Sequence, residues 1–439
     1  MKVAIIGAGI SGLALAYYLQ KLGIRYDLFE SSSEVGGMVK SRAQSGYQLE
    51  LGPHALQMNG ELQDLLQELK LDSQIIWPAQ AAQQRFILRN GKFHSIPTSP
   101  LKLLLNSFFS WHTKLQISQE VQKPRQEIPG ETVGHFFLRR FGQEVVDYLV
   151  QPLVAGVYGG DPDTLLLEKT FPAMKELERA HGSVLKGLVK QHKGEPSQIF
   201  TLAPGLQALP NAIASKLVSL HLDHEVEMIH KNRGKFFLSI RHDQEGLSDE
   251  EYDLVVLALP AHAAAELLEY TAPGLSAALQ NVNYAPLTVV HTAYRKQNVG
   301  FTLNGLGALH PGKENPVSTG SIWSSSVFPA VCPEGEVLFS SFVHSGPASA
   351  AQVPQKVHRE LQQNYSISGS PLFQHCHVWP KALPQPDQFI LDVHRLAEVL
   401  EEEHLFACAN WVAGPAVRDC IAFAKSIAQK IYSRRPSFQ

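Results

Sequence analysis

The sequence predicts an α/β fold, because it begins with a strand, a glycine turn, a helix and a second strand. An apolar, β-branched run over residues 3–6 breaks directly into the glycine motif Gly7-x-Gly9-x-x-Gly12. A helix is predicted from roughly Ser11 to Leu22, and a second strand, Tyr26 to Phe29, leads to Glu30. This order of strand, glycine turn, helix and strand indicates a Rossmann-like dinucleotide-binding unit.

Each glycine of the motif has its own expected role. Gly7 ends the strand in a tight turn, Gly9 lets a pyrophosphate approach the backbone, and Gly12 lets the helix pack on the strand. The helix directs its partly positive N-terminus at the phosphates. Glu30 is expected to accept hydrogen bonds from the hydroxyls of an adenosine ribose, which disfavours NADP.

A second glycine pair favours FAD over NAD. Gly36 and Gly37 follow Glu30 within a few residues, and an NAD-binding unit does not need them. A chain that runs beside a longer cofactor needs them, because its backbone must again approach the ligand closely. We expect the FAD to be bound non-covalently, since Cys408, which could in principle attach it, lies in an apolar strand.

The composition bounds the class of protein. Only 18% of the 439 residues are charged, whereas about 25% is typical. The formal net charge of −3 gives no reason to expect a nucleic-acid partner. The four cysteines form no CxxC pair, so we expect neither disulfides nor a zinc site, and a reducing compartment fits best.

Targeting and membrane-spanning segments are not expected. Met1-Lys2 leads directly into the first strand and leaves no room for a signal peptide. No uncharged apolar run reaches about 18 residues, the length that spans a bilayer. These observations predict a cytoplasmic protein.

The predicted cofactor unit is discontinuous, and comprises residues 1–75, 196–260 and 386–439. Between 76 and 195, apolar residues spaced by three and four predict a largely helical unit. Residues 261–385 alternate short β-like runs with Gly, Pro and Asn, which predicts a mixed sheet that forms a substrate domain.

A strand pair is predicted near the end of the second cofactor segment. It comprises Phe236 to Arg241 and Asp253 to Pro260, and the second of these strands is expected to be buried on both faces. Such a strand commonly runs close to a dinucleotide fold.

Residues 99–115 are predicted to form one helix with a broad apolar face. Ser99 can cap the helix and Pro100 suits its first turn. The apolar stripe comprises Leu101, Leu104, Leu105, Phe108, Trp111 and Leu115, and Phe109 widens it. Lys102, His112 and Lys114 supply basic edges. A core helix and a helix lying in the membrane plane both remain open, and they can coexist if the helix roofs a pocket that opens to lipid.

The C-terminal segment predicts a second contact with the flavin. A buried strand over 405–411 leads into Gly414-Pro415, and an apolar-periodic helix follows from Cys420 to Ile431. The helix N-terminus near Pro415 to Val417 is expected to face the pyrimidine ring, where its partial positive charge stabilises the reduced flavin. A plain terminal βα unit is the alternative.

Other chemistry is not expected from the motifs. His375-Cys376-His377 is similar to a metal site, but neighbouring residues of a strand point to opposite faces. His221 and His224 are expected to lie at strand edges. We therefore predict no metal, and spacing alone assembles no nucleophile or catalytic base.

The whole chain resembles the FAD-dependent protoporphyrinogen oxidase family. Its glycine motifs are shared with monoamine oxidases and carotene desaturases, whereas Val-Tyr-Gly-Gly-Asp-Pro and Ser-Ser-Ser-Val-Phe-Pro discriminate. The stretches that carry the resemblance are Glu30 to Met38, Glu50-Leu-Gly-Pro-His, Gln151-Pro-Leu-Val-Ala-Gly-Val-Tyr-Gly-Gly-Asp-Pro, Phe171-Pro, His181-Gly-Ser, Leu202-Ala-Pro-Gly-Leu-Gln-Ala-Leu-Pro, Trp323-Ser-Ser-Ser-Val-Phe-Pro and Gly414-Pro-Ala-Val-Arg-Asp-Cys-Ile.

The resemblance implies a fold and a set of site residues. The fold is a split Rossmann-like FAD-binding domain of the amine oxidase type, with a mixed-sheet substrate domain and a helical membrane-associated domain. Lys102 lies near the position of a propionate-binding arginine of some relatives, and Trp411 and Gly414-Pro415 depart from the usual pattern. The implied FAD contacts are Gly7, Ala8, Gly9, Ile10, Ser11, Gly12, Glu30, Ser31, Gly37, Met38, Gly52, Pro53, His54, Ala55, Val226, Trp379, Pro415, Ala416 and Val417.

The resemblance also implies an activity. It is the six-electron oxidation of protoporphyrinogen IX to protoporphyrin IX in heme biosynthesis, with oxygen or another electron acceptor reoxidising the flavin. Oxidation of coproporphyrinogen III to coproporphyrin III is the alternative. An amine oxidase, a carotenoid desaturase and a non-enzymatic prenyl-group binder of the same fold also remain open. Peripheral contact with the cytoplasmic face of the inner membrane is expected, and the oligomeric state is open, a homodimer being one alternative.

Overall fold

Two large β-sheets organise the chain. The computed structural model describes residues 1–96, 107–190, 198–242, 246–344 and 351–434. One sheet has five strands and the other has seven, and three smaller sheets of three, two and three strands accompany them within these ranges. The resulting mixed α/β architecture agrees with the predicted fold class.

The five-stranded sheet is parallel throughout and contains the glycine motif at the end of its central strand. Its inner strands are apolar and buried on both faces, as parallel sheets covered on both sides require. In spatial order its strands are Leu220–His221, Arg25–Phe29, Lys2–Ile6, Leu254–Leu257 and Leu405–Ala407.

Different elements cover the two faces of this sheet. The helices Ile10–Lys21 and Val417–Ser433 pack on one face through a shared apolar cluster. The other face is covered by a three-stranded antiparallel sheet and by the helices Ala261–Leu268, Pro273–Gln280 and Phe389–Leu400. All strands of the five-stranded sheet fall within the predicted cofactor segments.

The predicted pairing of Phe236–Arg241 with the strand before Pro260 is wrong. The strand Lys235–His242 pairs instead with His224–Asn232 and Gly246–Tyr252. Leu254–Leu257 pairs with Lys2–Ile6 and is fully buried, as predicted. The burial patterns explain the difference, because Lys235–His242 alternates between buried and more exposed residues, as one-sided antiparallel strands do.

The seven-stranded sheet confirms the predicted mixed sheet. Its pairs are antiparallel except that Gly307–Leu309 runs parallel to Phe86–Arg89. One face packs against the helix Val353–Tyr365. In spatial order the strands are Phe373–Pro384, Tyr284–Arg295, Glu336–Val343, Gly320–Ile322, Gly307–Leu309, Phe86–Arg89 and Lys92–Ser95.

The hairpin over 86–95 is an exception within residues 76–195, which are predicted to be largely helical. Asn90 and Gly91 form its turn, with φ values of 52° and 69°. Positive φ at both central residues is the backbone of the two-residue turn that Asn-Gly favours. A strand pair therefore joins the seven-stranded sheet from within the predicted helical unit.

The described remainder of this unit is mainly helical. Its regular segments are Trp111–Gln119, Val133–Phe141, Gln143–Val145, Val146–Val150, Gln151–Tyr158, Leu167–Thr170, Pro172–His181 and Val184–Lys190. Elsewhere the remaining helices are Gly60–Glu68, Ala208–Ala214, Ser324–Val327 and Asn410–Ala413, and short strands lie at Ser41–Gln44, Tyr47–Glu50, Leu56–Gln57, Ile75–Ile76 and Ile199–Leu202. Within the described ranges, no helix has the length and apolar character needed to cross a membrane.

The single helix predicted over 99–115 is wrong in its described part, and its first half lies outside the described residues. A helix begins at Trp111, because Ser110 takes an extended conformation and its side chain accepts a hydrogen bond from Thr113 N. Phe108 and Phe109 are buried before this start, whereas Trp111 is 76% exposed. The predicted apolar stripe therefore does not lie on one helix face.

A buried ion network connects the helices of this unit. The guanidinium of Arg140 donates to the carboxylate of Glu120, and both side chains are almost fully buried. Glu120 also accepts from Val184 N at 3.0 Å, and Arg140 contacts Glu178 at 3.3 Å. Buried charges are stable only when they are paired and hydrogen-bonded, so each partner depends on the other.

We predict that Glu120→Ala lowers the free energy of unfolding by about 3–5 kcal/mol, because it leaves Arg140 buried without its main carboxylate partner. Glu176→Ala is the matched control, since it breaks the exposed pair between Glu176 and Arg179 and is expected to cost at most about 1 kcal/mol. Urea unfolding of the two variants measures the difference. Equal losses would contradict the assignment.

Candidate active site

The three glycines of the first turn are required for different reasons. A Cβ on Gly7, which has a φ of +101°, would lie 2.6 Å from Ala258 O, and a Cβ on Gly12 would overlap Gly7 O. Both glycines are therefore needed by the fold itself. At Gly9, by contrast, an added Cβ would meet no described atom within 4 Å, and its φ of −67° suits any residue. The space beside Gly9 fits the close approach of a ligand.

Glu30 is fixed at the end of its strand beside this turn. Its Oε2 accepts from Ala8 N at 2.8 Å, and its Oε1 accepts from Ser32 N at 3.0 Å. Its carbonyl oxygen accepts from His224 N at 2.9 Å, which brings the strand that contains Val226 to the same place. Ser31, the next residue after Glu30, is exposed.

The second glycine pair lies directly against the first turn, as expected for a longer cofactor. Gly36 N donates to Ala8 O at 2.9 Å, and a Cβ on Gly37 would lie 3.3 Å from Gly9 Cα. Gly52 packs even more closely against Met38, the residue after Gly37, because a Cβ on Gly52 would overlap Met38 O. Three backbone turns, at Gly7–Gly12, Gly36–Gly37 and Gly52, therefore form one surface, which we call the cradle.

The C-terminal helix Val417–Ser433 follows the edge strand Leu405–Ala407 and packs against the helix that begins at the glycine turn. It begins at Val417 after the extended residue Ala416, and Gly414 has a φ of +99°. Among the described residues, no side chain caps this helix or the helix Ile10–Lys21. Cys408 Sγ lies 3.9 Å from Ser11 O, so the two segments pack against each other. Uncapped N-termini keep donor N–H groups available for an anion.

The seven-stranded sheet docks onto the cradle through Trp379. Its Nε1 donates to Leu51 O at 2.7 Å, immediately before Gly52. His54 stacks on His291 with 5.5 Å between ring centroids and packs edge-on against Phe342 at 5.1 Å. Segment 52–55 therefore lies between the glycine turns and the seven-stranded sheet.

Two titratable side chains line a cavity beside segment 52–55. Glu50 and His54 line one cavity together with Ser324 and Ser340. Burial raises the pKa of Glu50 to about 7, and hydrogen bonds from Ser41 Oγ and Leu206 N oppose that shift. Burial lowers the pKa of His54 to about 4.

The structure brings the glycine turns, Glu30, the segment 52–55 and Trp379 together, whereas Lys102 lies outside the described residues. Glu50 and His291 lie beside them, although neither was predicted as a site residue, because their placement depends on pairing between strands distant in sequence. His375, His377 and Trp379 follow a period of two, a signal that could have placed them on one face. Among the described residues, no group of three or more His, Cys, Asp or Glu side chains is arranged to hold a metal ion.

Comparisons with known proteins identify the family. The family model "Flavin containing amine oxidoreductase" matches residues 10–431. Human protoporphyrinogen oxidase is 30% identical, and the match covers 99% of both chains. The chloroplastic/mitochondrial protoporphyrinogen oxidase 2 of Arabidopsis thaliana is 29% identical, over 98% of this chain and 94% of that protein. The coproporphyrinogen III oxidase of Staphylococcus aureus is 28% identical over 88% of each.

Solved structures show the same fold at low sequence identity. A reduced UDP-galactopyranose mutase has a TM-score of 0.74 at 14% identity, over 99% of this chain and 94% of that one. A putrescine oxidase variant has a TM-score of 0.72 at 15% identity, over 99% of both chains. With the family model matched along almost the whole chain, the protein belongs to the flavin-containing amine oxidoreductases, within them to the protoporphyrinogen oxidase family, and it is an FAD-dependent oxidoreductase.

Proposed function

We propose that this chain oxidises protoporphyrinogen IX to protoporphyrin IX in heme biosynthesis. One observation carries the proposal: the glycine cradle that fits FAD faces the seven-stranded sheet. The chain that has this arrangement is related to human protoporphyrinogen oxidase over 99% of both lengths. The cofactor cradle and a broad sheet surface are thus adjacent.

The proposed cofactor contacts follow from this cradle. The turn Gly7–Gly12 binds the pyrophosphate, Glu30 binds the ribose, and the segment 52–55 with Trp379 borders the flavin ring. When bound, FAD supplies hydride acceptance from a substrate carbon. The N-terminus of the helix Val417–Ser433 stabilises the negative charge of the reduced ring.

The proposed substrate is large and apolar, with carboxylates at its rim. A chain with 18% charged residues suits such a ligand, which needs an apolar pocket and a few charged anchors. Lys102 is proposed as one anchor for a propionate. The relative from Staphylococcus aureus supports coproporphyrinogen III as the second candidate substrate. Oxygen is the proposed electron acceptor.

The helical segment, which comprises the helices between residues 111 and 190, is proposed to touch the cytoplasmic face of the membrane. Trp111 is 76% exposed and Leu115 is 45% exposed on the same helix, and Val189 is 73% exposed on another helix of this segment. Aromatic and apolar side chains of this kind insert at a lipid surface.

We predict that Gly9→Val abolishes FAD binding while the protein still folds. The added side chain would meet no protein atom at its Cβ within the described structure, but it would fill the proposed pyrophosphate position. Gly274→Val is the matched control, because its added Cβ also meets no described atom within 4 Å. Flavin absorbance after gel filtration is measured. Full flavin content in Gly9→Val would contradict the proposed pyrophosphate position.

We predict that protoporphyrinogen IX bleaches the flavin absorbance under anaerobic mixing, and that admitting oxygen restores the absorbance and produces porphyrin fluorescence. Coproporphyrinogen III, mixed in parallel, separates the two candidate substrates by rate. Bleaching by an amine or a carotenoid precursor, with none by either porphyrinogen, would reject the proposal and favour the amine oxidase or desaturase alternative.

We predict that Trp111→Glu with Leu115→Glu reduces sedimentation with liposomes and leaves the flavin content unchanged, because both side chains are exposed. The control pair is Val218→Glu with Tyr270→Glu, which changes residues that are 82% and 80% exposed outside the helical segment. Equal effects of the two pairs, or none, would contradict a membrane contact at this helix.

A further inference from the structure

Four histidines lie on the side of the seven-stranded sheet that meets the cradle. His291 and His375 are paired residues of neighbouring strands, with 6.4 Å between ring centroids. His377 follows on the same face and packs against Trp379 at 4.6 Å. His54 stacks on His291 from the cradle side. We refer to His54, His291, His375 and His377 as the histidine cluster.

Each member of the cluster has a buried ring nitrogen that makes no hydrogen bond of good geometry in the described structure. These are the Nε2 atoms of all four histidines and Nδ1 of His54. The backbone of Gly52 interacts with His54 and that of Glu50 with His291, while Nδ1 of His291 contacts Ser340 Oγ at 2.9 Å. Buried polar atoms normally have a partner, so several incompletely bonded nitrogens in one cluster call for an explanation.

Burial keeps the cluster neutral at rest, and nearby cations add to this effect at two of its members. Burial lowers the pKa of all four histidines. Arg42 lowers the pKa of His375 and His377 further, and Lys40 contributes at His377. Glu50 is the nearby carboxyl group, and its raised pKa of about 7 reduces its negative charge.

We propose that the histidine cluster takes up one proton each time the flavin is reduced and releases it when the flavin is reoxidised. The cluster adjoins Gly52 to Ala55 and Trp379, which border the flavin ring in the proposed function, so the inference rests on that placement. An opposite charge within about 4–6 Å favours the charged form of a histidine. Negative charge on the reduced ring therefore raises the proton affinity of the cluster.

The atoms and electrons balance. Each two-electron oxidation of a porphyrinogen removes a hydride from a meso carbon and a proton from a pyrrole nitrogen. Bound FAD would accept the hydride, and the nitrogen's proton would go to the cluster. On reoxidation, oxygen would take two electrons and one proton from the cofactor, and the proton stored on the cluster would complete hydrogen peroxide. The cluster thereby returns to its neutral form.

The test is the number of protons bound per two electrons in the FAD-loaded protein. The midpoint potential of the flavin is measured across about pH 5 to 8, the range in which histidine titrates near neutrality. Above pH 4, where His54 is neutral because its resting pKa is about 4, we expect the wild type to bind two protons per two electrons. The midpoint potential of its flavin then falls with pH twice as steeply as it would if one proton were bound. His54→Gln and His291→Gln are expected to bind fewer protons.

A matched control and two milder variants keep the test decisive. His310→Gln changes another buried histidine whose Nε2 lacks a partner in the described structure, but it lies beside Glu360 and outside the cluster. It is expected to keep the wild-type slope. His375→Gln and His377→Gln change half-buried residues, so they serve if the buried variants lose their flavin.

An unchanged slope in His375→Gln and His377→Gln, or an equal loss in His310→Gln, would overturn the proposal. So would a wild type that binds one proton per two electrons. The flavin is reduced chemically, without a porphyrinogen, so a failure of the proposed substrate leaves the slopes unaffected and the two hypotheses are tested separately.

Discussion

The site depends on one tightly packed backbone turn at the end of the central strand of the five-stranded sheet. Gly7 approaches Ala258 O, and Gly12 approaches Gly7 O, at separations that leave no room for a Cβ. These two contacts set where the helix Ile10–Lys21 begins and where Ala8 projects its N–H and C=O. Glu30 binds the former and Gly36 binds the latter, so both further parts of the cradle are positioned relative to the same turn.

The second large sheet meets the cradle through a polar contact that is surrounded by aromatic rings. Trp379 donates to Leu51 O, and His54 packs between His291 and Phe342. The cradle therefore has two electrostatic environments. Uncapped helix N-termini supply fixed partial positive charge from one side. Neutral histidines supply groups that can gain charge from the other side.

Local patterns predicted the first strand–turn–helix–strand unit well, because each of its elements is decided by neighbouring residues. The hairpin at Asn90-Gly91 carried an equally local signal that the prediction did not use. The start of the helix at Trp111 was harder to predict from the sequence, since Ser110 also binds Glu144, 34 residues away. The partner of Lys235–His242 and the placement of His291 beside His54 depend on tertiary packing, which spacing in one sequence does not specify.

The helical segment contains a buried ion network beside its apolar core and exposes several apolar side chains. Arg140 is buried between Glu120 and Glu178, and Arg139 also binds Glu178. Trp111 and Val189 are exposed on its surface. Burying charges carries a desolvation cost that apolar residues of similar volume would avoid, so this arrangement is not explained by stability alone. A surface that must present apolar side chains to lipid, while its interior fixes the helices through specific ion pairs, explains both observations and supports the proposed membrane contact.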